Sequence, residues 1–245
     1  MKIEGPLLKG RFLERPNRFL TLVELNGKTV ASHLPDPGRL RELLIPGAEV
    51  FLRPAPANSG RKTAYSTVMV KQSNTLISLV SVLPNRFVRE CLENQRLPFL
   101  RDYRILQREI PYENHRFDFL LTDSREQPFY LEVKSVTFVS EGIAQFPDAV
   151  TERGSRHART LGVLSSRGIG AGILFVCQRP DAHAFRPMWE RDPKFATALQ
   201  EADRLGVKIW CITTNITEME MTYSHEIPVN LAPVKLQQTS NDTAA

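Results

Sequence analysis

Two strand-like segments near the middle of the chain carry charged residues among apolar neighbours. RFDFLL places Asp118 between two phenylalanines, and FYLEVKSVT places Glu132 and Lys134 two positions apart. Because the side chains of a strand alternate between its two faces, Glu132 and Lys134 share a face with Tyr130. The same alternation turns Asp118 away from a face formed by Phe117, Phe119 and Leu121.

The segment DSREQ, residues 123–127, separates these two runs and predicts the loop of an antiparallel hairpin centred on Arg125. Positions equally distant from the centre pair, so Asp118 is expected directly opposite Glu132. Like charges that face each other across two strands destabilise the pair by about 0.2–1 kcal/mol, and burial adds to this cost. The hairpin therefore requires something that compensates two carboxylates.

A divalent cation supplies that compensation. Mg²⁺ and Mn²⁺ prefer carboxylate oxygens, retain several waters and often complete their shell with phosphate. Asp118 and Glu132 are the expected metal ligands, and the Val133 carbonyl is a further candidate. Lys134 is placed to hold an attacking water or the charge of a phosphate, which suits phosphodiester hydrolysis. The alternative is a local ion pair between Glu132 and Lys134 on a half-exposed strand.

An aspartate followed on the next strand by Glu-x-Lys resembles the signature of the PD-(D/E)xK nuclease superfamily. Phe117 stands where that superfamily usually has proline. A second string, Asp181 followed by Asp192-Pro-Lys194, also fits the signature. It is rejected on physical grounds, because Pro193 cannot lie in a central strand and Asp192 is placed to cap a helix.

Residues 1–83 predict an all-β module. Five strand-like runs are broken by turn signals, and Asn26-Gly27 is a strong hairpin signal between the second and third. The segment PDPGRLRELLIPG predicts a turn and a short helix between the third and fourth runs. This order indicates a small Greek-key barrel of the OB type, with a purely structural barrel as the alternative.

The excess positive charge lies in this first part. The net charge is +5; residues 1–83 carry 12 Lys and Arg against 6 Asp and Glu, whereas residues 84–245 carry 20 against 21. Such an asymmetry is expected of a surface that faces a polyanion, although a chance imbalance gives the same count. The candidate nucleic-acid contacts are Arg11, Arg15, Arg18, Arg39 and Lys71.

Residues 84–235 predict a second domain with the order α-β-β-β-α-β-α-β. NRFVRECLENQRL has helical apolar spacing with Asn85 as its cap, TERGSRHARTLGVLSSR predicts a second helix, and Asp192-Pro193 begins a third. AGILFVCQ and VKIWCITT predict strands. The fold class is thus an OB-like barrel followed by a nuclease-like α/β domain with a mixed sheet. Residues 236–245 predict a frayed tail.

Several of these segments together identify the chain as similar to the sugar fermentation stimulation protein A family. They are RFDFLL, LEVKSVT, FPDAVTERGSRHARTL, PNRFL and PDPGRL. The resemblance covers nearly the whole chain. It implies an N-terminal OB-like domain, a PD-(D/E)xK nuclease-like C-terminal domain, DNA binding without sequence preference and a regulatory role in maltose or other sugar metabolism.

Four further residues are weighed for the site. Arg153 and His157, one helical turn apart, are candidates for phosphate contact, and a solvated helix face is the alternative. Glu90 on the first helix is a candidate third carboxylate, as first-helix acids are in this superfamily. Asp148 is a candidate acid or an ordinary turn residue.

The composition of the chain bears on its location and on the state of its cysteines. No run approaches the ~20 apolar residues of a membrane span, and the N-terminus lacks the apolar core of a signal peptide, so a cytoplasmic location is predicted. Cys91, Cys177 and Cys211 are far apart in apolar surroundings, which predicts reduced core thiols.

Three hypotheses follow. The first is a DNA-binding protein with a Mg²⁺ or Mn²⁺ site, and the second is an active metal-dependent nuclease acting on DNA or RNA. The third is a non-catalytic regulator whose carboxylate site is vestigial or binds a small anionic ligand through a metal.

Overall fold

The computed structural model describes residues 1–56, 60–113 and 115–233. The predicted tail at 236–245 lies outside these residues. The N-terminal part contains six strands: β1 (Leu8–Asn17), β2 (Leu20–Leu25), β3 (Lys28–His33), β4 (Glu49–Pro54), β5 (Tyr65–Gln72) and β6 (Thr75–Ser78).

Five of these strands close a barrel. Strand β1 pairs with β2 and β4, β2 pairs with β3, and β5 pairs with both β3 and β4, while β6 adds to β5. Asn26 and Gly27 form the predicted tight turn, with φ angles of 52° and 75°. The OB-like barrel predicted from the sequence is confirmed.

The short helix predicted between β3 and β4 is wrong. Residues 41–43 form a single turn, in which the N–H groups of Leu43 and Leu44 donate to the carbonyl of Leu40. Leu40 has a φ of 51°, outside helical geometry. All three leucines are buried in the barrel core, so one turn satisfies the apolar spacing that suggested a helix.

The C-terminal part is built on a mixed six-stranded sheet of order β15-β14-β12-β9-β8-β7. Its strands are β7 (Arg104–Tyr112), β8 (His115–Thr122), β9 (Pro128–Val136), β12 (Gly170–Cys177), β14 (Lys208–Ile216) and β15 (Met221–Ile227). Strands β9, β12 and β14 are parallel, and the other pairings are antiparallel. The helices are α1 (Leu83–Glu93), α2 (Glu152–Ser166) and α3 (Pro193–Arg204).

The helices cover opposite faces of this sheet. Leu174 and Val176 of β12 pack in one apolar cluster with α1, whereas Ile173 and Phe175 pack in another with α2 and α3. Alternation along β12 thus separates the two layers. A small sheet, β10 (Val139–Ser140), β11 (Ile143–Phe146) and β13 (Ala184–Pro187), was not predicted, and neither was β15.

The barrel and the C-terminal sheet share one apolar core. Phe51, Val68 and Met69 of the barrel belong to the same buried cluster as α1 and β9. The first residues of the chain also cross over: Lys2 pairs with Glu220, and the Ile3 N–H donates to the Met219 carbonyl. Strand β6 ends at Ser78 and α1 begins at Leu83, so the connection between the two parts is short.

The three cysteines are free and buried, as predicted. Within the part of the chain that the structure describes, no helix is long and apolar enough to cross a membrane.

Candidate metal centre

The site lies where β8 and β9 separate. The strands pair from Thr122 with Pro128 to Phe119 with Leu131, which confirms the predicted register. Asp123 holds the loop, since its Oδ1 accepts from the N–H groups of Arg125 and Gln127 at 2.9 Å each. The ladder ends one position before Asp118.

Asp118 replaces a backbone acceptor at the end of this ladder. Its Oδ2 accepts from the Val133 N–H at 2.7 Å, so the carboxylate occupies the gap that opens between the strands. The predicted single face of β8 is wrong in part. Phe119 and Leu121 pack on the α1 side, but Phe117 packs on the α2 side.

A local irregularity accounts for this change of face. Strand β7 pairs Arg108 with Phe119 and Ile110 with Phe117, which leaves Glu109 opposite Asp118, and Glu109 has a φ of 54°. Strict alternation therefore fails at the residue whose side chain leaves the sheet.

Asp118 is held in a largely buried setting by helix α1. Asn85 Nδ2 donates to Asp118 Oδ1 at 2.5 Å. Burial, with the nearby charge of Glu132, raises the pKa of Asp118 to about 7, and the contacts from Val133 N–H, Lys134 and Asn85 only partly oppose this. The predicted cap role of Asn85 is wrong, because α1 begins at Leu83 and Asn85 instead positions the aspartate.

Glu132 is buried, with 3% of its surface exposed. Its Oε1 accepts from Lys134 Nζ at 2.5 Å and lies 2.7 Å from Nδ1 of His157 on α2. Burial would raise the pKa of Glu132, but Lys134 and His157 outweigh it and hold that pKa below its usual value. The Glu132–Lys134 pair is thus a real ion pair, as in the alternative interpretation of the sequence, but it is buried and does not lie on a half-exposed strand.

That ion pair does not use the whole carboxylate. Glu132 Oε2 is buried and has no hydrogen-bond partner among the described residues. An unpaired buried carboxylate oxygen is costly unless a cation or a donor meets it. Together with Asp118 it offers the hard oxygen ligands that Mg²⁺ and Mn²⁺ prefer. The described residues contain no group of three His, Cys, Asp or Glu side chains arranged for a metal, so water or backbone oxygens must complete any shell.

Helix α2 places His157 behind Glu132. His157 has 2% of its surface exposed. It is therefore not available for the phosphate contact that the sequence predicted. Arg153 Nε donates to His157 Nε2 at 3.4 Å, and this matches an imidazole that carries its proton on Nδ1 toward Glu132. Arg153 itself is exposed, one turn nearer the start of the helix.

Glu90 and Asp148 have other partners. Glu90 Oε1 lies 3.2 Å from the N-terminal amine of Met1, which removes it from the role of third carboxylate. Asp148 Oδ2 accepts from the Leu40 N–H of the barrel at 2.8 Å, and its Oδ1 accepts from Arg191 at 2.5 Å. Asp148 therefore links the two domains.

The five basic residues of the barrel that the sequence proposed as nucleic-acid contacts fall into three settings. Arg15 is structural, because its guanidinium donates to the carbonyls of Arg18, Gly38 and Arg39 at 2.6–2.8 Å. Arg18, between β1 and β2, and Arg39, between β3 and β4, are exposed, and these two adjoining connections are together called the basic turn below. The remaining two, on the barrel wall, face glutamates.

Those two are Arg11 and Lys71. Arg11 pairs across the sheet with Glu24 and Glu49, and Lys71 Nζ lies 3.9 Å from Glu49 Oε1. The charge of this wall is mixed, whereas the turn that carries Arg18 and Arg39 is basic.

A closed OB-like barrel joined to a mixed sheet, with Asp118 and Glu-x-Lys at the fork where β8 and β9 separate, defines a nuclease-like fold. Comparison with known proteins identifies the family. The model of the "SfsA N-terminal OB domain" matches residues 13–79, and that of the "Sugar fermentation stimulation protein RE domain" matches residues 82–220. The chain belongs to the sugar fermentation stimulation protein family.

Individual relatives agree over the full length. A sugar fermentation stimulation protein homolog of Moorella thermoacetica is 42% identical over 231 residues, 94% of this chain and 100% of the relative. The homolog of Clostridium novyi is 42% identical over 89% of this chain and 94% of its own. The structure of Pyrococcus furiosus SfsA in complex with Ca²⁺ is 29% identical and has a TM-score of 0.85, over 94% of this chain and 98% of that one.

Proposed function

We propose that this protein binds DNA without sequence preference and holds Mg²⁺ or Mn²⁺ at Asp118 and Glu132. The observation that carries the proposal is the pair of close, largely buried carboxylates, one with a pKa raised to about 7 and the other with a buried oxygen that has no partner among the described residues. A cation between them satisfies both conditions. The relative from Pyrococcus furiosus, whose structure is in complex with Ca²⁺, supports a divalent cation in this fold.

Each residue of the fork has a proposed role. Asp118 and Glu132 supply carboxylate oxygens to the cation, Asn85 and His157 orient them, and Lys134 neutralises charge beside them. When bound, such a cation polarises a phosphate and lowers the pKa of a coordinated water. The outer contacts matter because residues that orient metal ligands commonly change metal affinity by about 10–100-fold.

The DNA contacts are proposed on the barrel turn and on α2. Arg18 and Arg39 from the barrel and Arg153 from α2 are exposed, so their guanidinium groups are available to phosphates. Arg15 stabilises the backbone around them, because its guanidinium donates hydrogen bonds to the carbonyls of Arg18, Gly38 and Arg39. RNA is the alternative polyanion, since these contacts do not select the sugar.

The first test measures metal and DNA binding directly. Calorimetric titration with Mn²⁺ is expected to show one site in the wild type that is lost in Asp118→Ala and retained in Asp181→Ala, the aspartate of the rejected second string. DNA of unrelated sequences should bind with similar affinity and weaken steeply with salt. Failure to bind any DNA or RNA at low salt contradicts the nucleic-acid part of the proposal, and unchanged Mn²⁺ binding in Asp118→Ala contradicts the metal part.

Phosphodiester hydrolysis is a second candidate function, supported by the position of Lys134. Its Nζ is fixed on Glu132 and only 12% of its side chain is exposed, so the amine stays at the edge of the carboxylate pair. We expect wild-type protein with Mg²⁺ or Mn²⁺ to cut DNA, and Lys134→Ala and Asp118→Ala to abolish cutting. Lys194→Ala, an exposed lysine of the second string, is the matched control. Cleavage that survives both site substitutions excludes this fork as the catalytic centre.

We also propose a regulatory role in sugar metabolism, which the family name supports. Action in the cytoplasm is proposed from the sequence composition. The non-catalytic regulator remains the outcome if DNA and metal bind but no strand is cut.

A further inference from the structure

A cavity of about 520 Å³ lies between the barrel and the C-terminal domain. The barrel side contributes Arg18 and the turn Asp36–Gly38. The other side is formed by the end of β9 with the residues that follow it, and by the segment that leads into α2. The cavity is therefore a joint feature of the two domains and exists only when they are docked as described.

This cavity adjoins the carboxylate pair. Val136, which lines it, lies two positions after Lys134 on β9 and therefore on the same face of the strand. Arg153 also lines it and contacts His157, whose other ring nitrogen lies 2.7 Å from Glu132. Two side chains in contact, Arg153 and His157, thus connect the lining of the cavity to Glu132 of the proposed metal site.

The polarity of the cavity is unevenly distributed. Phe138, Pro147 and Val150 give it an apolar surface, and the side chain of Val150 is 62% exposed. Asp36 and Asp148 place carboxylates in its wall, whereas Arg18 and Arg153 are exposed. Both carboxylates repel a phosphate, and since both oxygens of Asp148 and Oδ1 of Asp36 already accept hydrogen bonds, Asp36 Oδ2 is the oxygen left to accept from the amino or ring N–H groups of a base. Apolar side chains suit the faces of a base.

We propose that this cavity is a subsite for one unpaired nucleoside of a DNA strand, with its phosphates held outside by Arg18 and Arg153. The inference rests on the proposed function, since it places the neighbouring phosphate at Asp118 and Glu132. The volume lies within the range of about 300–1,000 Å³ that single small ligands occupy in proteins. A base that enters from a duplex must first leave its pair and its stack, which a single strand does not require. Single strands and frayed ends are therefore the favoured substrates.

The test compares single-stranded and duplex oligonucleotides of one sequence, with Ca²⁺ as cation, by fluorescence anisotropy. Wild type is expected to bind the single strand about tenfold more tightly, because its bases reach the cavity without first leaving a pair. Val150→Trp adds bulk to the apolar part of the lining, which does not include Asp118 or Glu132, and should reduce the ratio toward one. Val163→Trp, at another exposed valine of the same domain, should leave the ratio unchanged.

A second readout follows the base itself. 2-Aminopurine at the terminal position of an oligonucleotide fluoresces more strongly when it leaves the stack, so wild type and Val163→Trp should increase its emission and Val150→Trp should not. Binding of both DNA forms with no difference between Val150→Trp and Val163→Trp overturns the subsite but leaves the proposed function intact. Absence of binding to either form overturns the proposed function and the subsite with it.

Discussion

At the scale of single residues, Asp118 is an aspartate whose ionised form is disfavoured in the folded protein. Burial and Glu132 raise its pKa to about 7 from an ordinary value near 3.8. The folded state therefore binds its proton more tightly than the unfolded state, and the protein loses stability as the pH rises from about 4 to about 7. Since each pKa unit corresponds to about 1.4 kcal/mol, Asp118→Asn should stabilise the metal-free protein by about 2 kcal/mol or more at pH 8.

Thermal unfolding between pH 4 and pH 8 in the presence of a chelator measures this effect. The melting temperatures of wild type and Asp118→Asn should converge at pH 4 and diverge at pH 8, with the variant higher. Asp102→Asn, which changes an exposed aspartate, should follow the wild type. A constant difference across this range would show that Asp118 does not titrate differently in the folded protein.

His157 gives a prediction about metal affinity. His157→Phe keeps an aromatic ring among Phe117 and His115 but removes the hydrogen bond to Glu132. We expect Mn²⁺ to bind about 10–100-fold more weakly, because the carboxylate loses its orienting donor. His225→Phe, an exposed histidine, should bind Mn²⁺ like the wild type. Unaltered affinity in a folded His157→Phe protein would make His157 a packing residue only.

The residue pattern predicted part of this site. The register of β8 and β9 followed from the hairpin loop, because its five residues fix which positions pair. The supporting contacts did not follow, since Asn85 reaches Asp118 across 33 positions and His157 reaches Glu132 across 25. Such contacts depend on how helices dock on the sheet, which no local pattern specifies.

At the scale of elements, one aspartate joins the starts of two helices. Asp192 Oδ1 accepts from the Phe195 N–H at 3.0 Å and caps α3, while its Oδ2 accepts from the N–H of Thr151 at 2.7 Å. Thr151 is itself the cap of α2. Asp192→Ala leaves both N–H groups without their acceptor, so we expect a loss of about 2–4 kcal/mol.

Urea unfolding measures this loss. Asp203→Ala, at an exposed position of α3, should change the free energy of unfolding by less than about 0.5 kcal/mol. Equal effects of the two substitutions would mean that the double cap contributes nothing to stability.

Elements with strong local signals were predicted and the others were not. The cap at Asp192 with Pro193, the turn at Asn26-Gly27 and the apolar run of β12 are each set by neighbouring residues. Strands β10, β11 and β13 are two to four residues long, too short for a period to show. The turn at 41–43 had helical apolar spacing but lies between two Pro-Gly boundaries that leave no room for a second turn.

At the scale of the whole molecule, the relation between the two domains could not be inferred from sequence. The division near residue 83 followed from a change of period. The shared core and the link from Asp148 to Leu40 and Arg191 join segments far apart in the chain. These contacts bring the basic turn of the barrel beside α2.

This arrangement predicts which positive charges bind DNA. Arg18 and Arg39 are exposed on the basic turn, where Arg18 lines a cavity together with Arg153 of α2, whereas Arg11 and Lys71 lie beside glutamates on the barrel wall. Each phosphate contact adds about 0.7–0.9 to the slope of log affinity against log salt concentration. Arg18→Gln with Arg39→Gln should lower that slope by up to about two, and weaken binding to all sequences alike.

Arg11→Gln with Lys71→Gln removes the same net charge and is the matched control. Its slope should stay close to that of the wild type, because glutamates already neutralise these two positions and a phosphate gains little there. Anisotropy titrations at four or more salt concentrations separate the two outcomes. If both double variants lower the slope equally, the DNA responds to the overall charge of the barrel. If only the Arg11 and Lys71 variant lowers it, the strand crosses the barrel wall and does not approach the carboxylate pair along the turn.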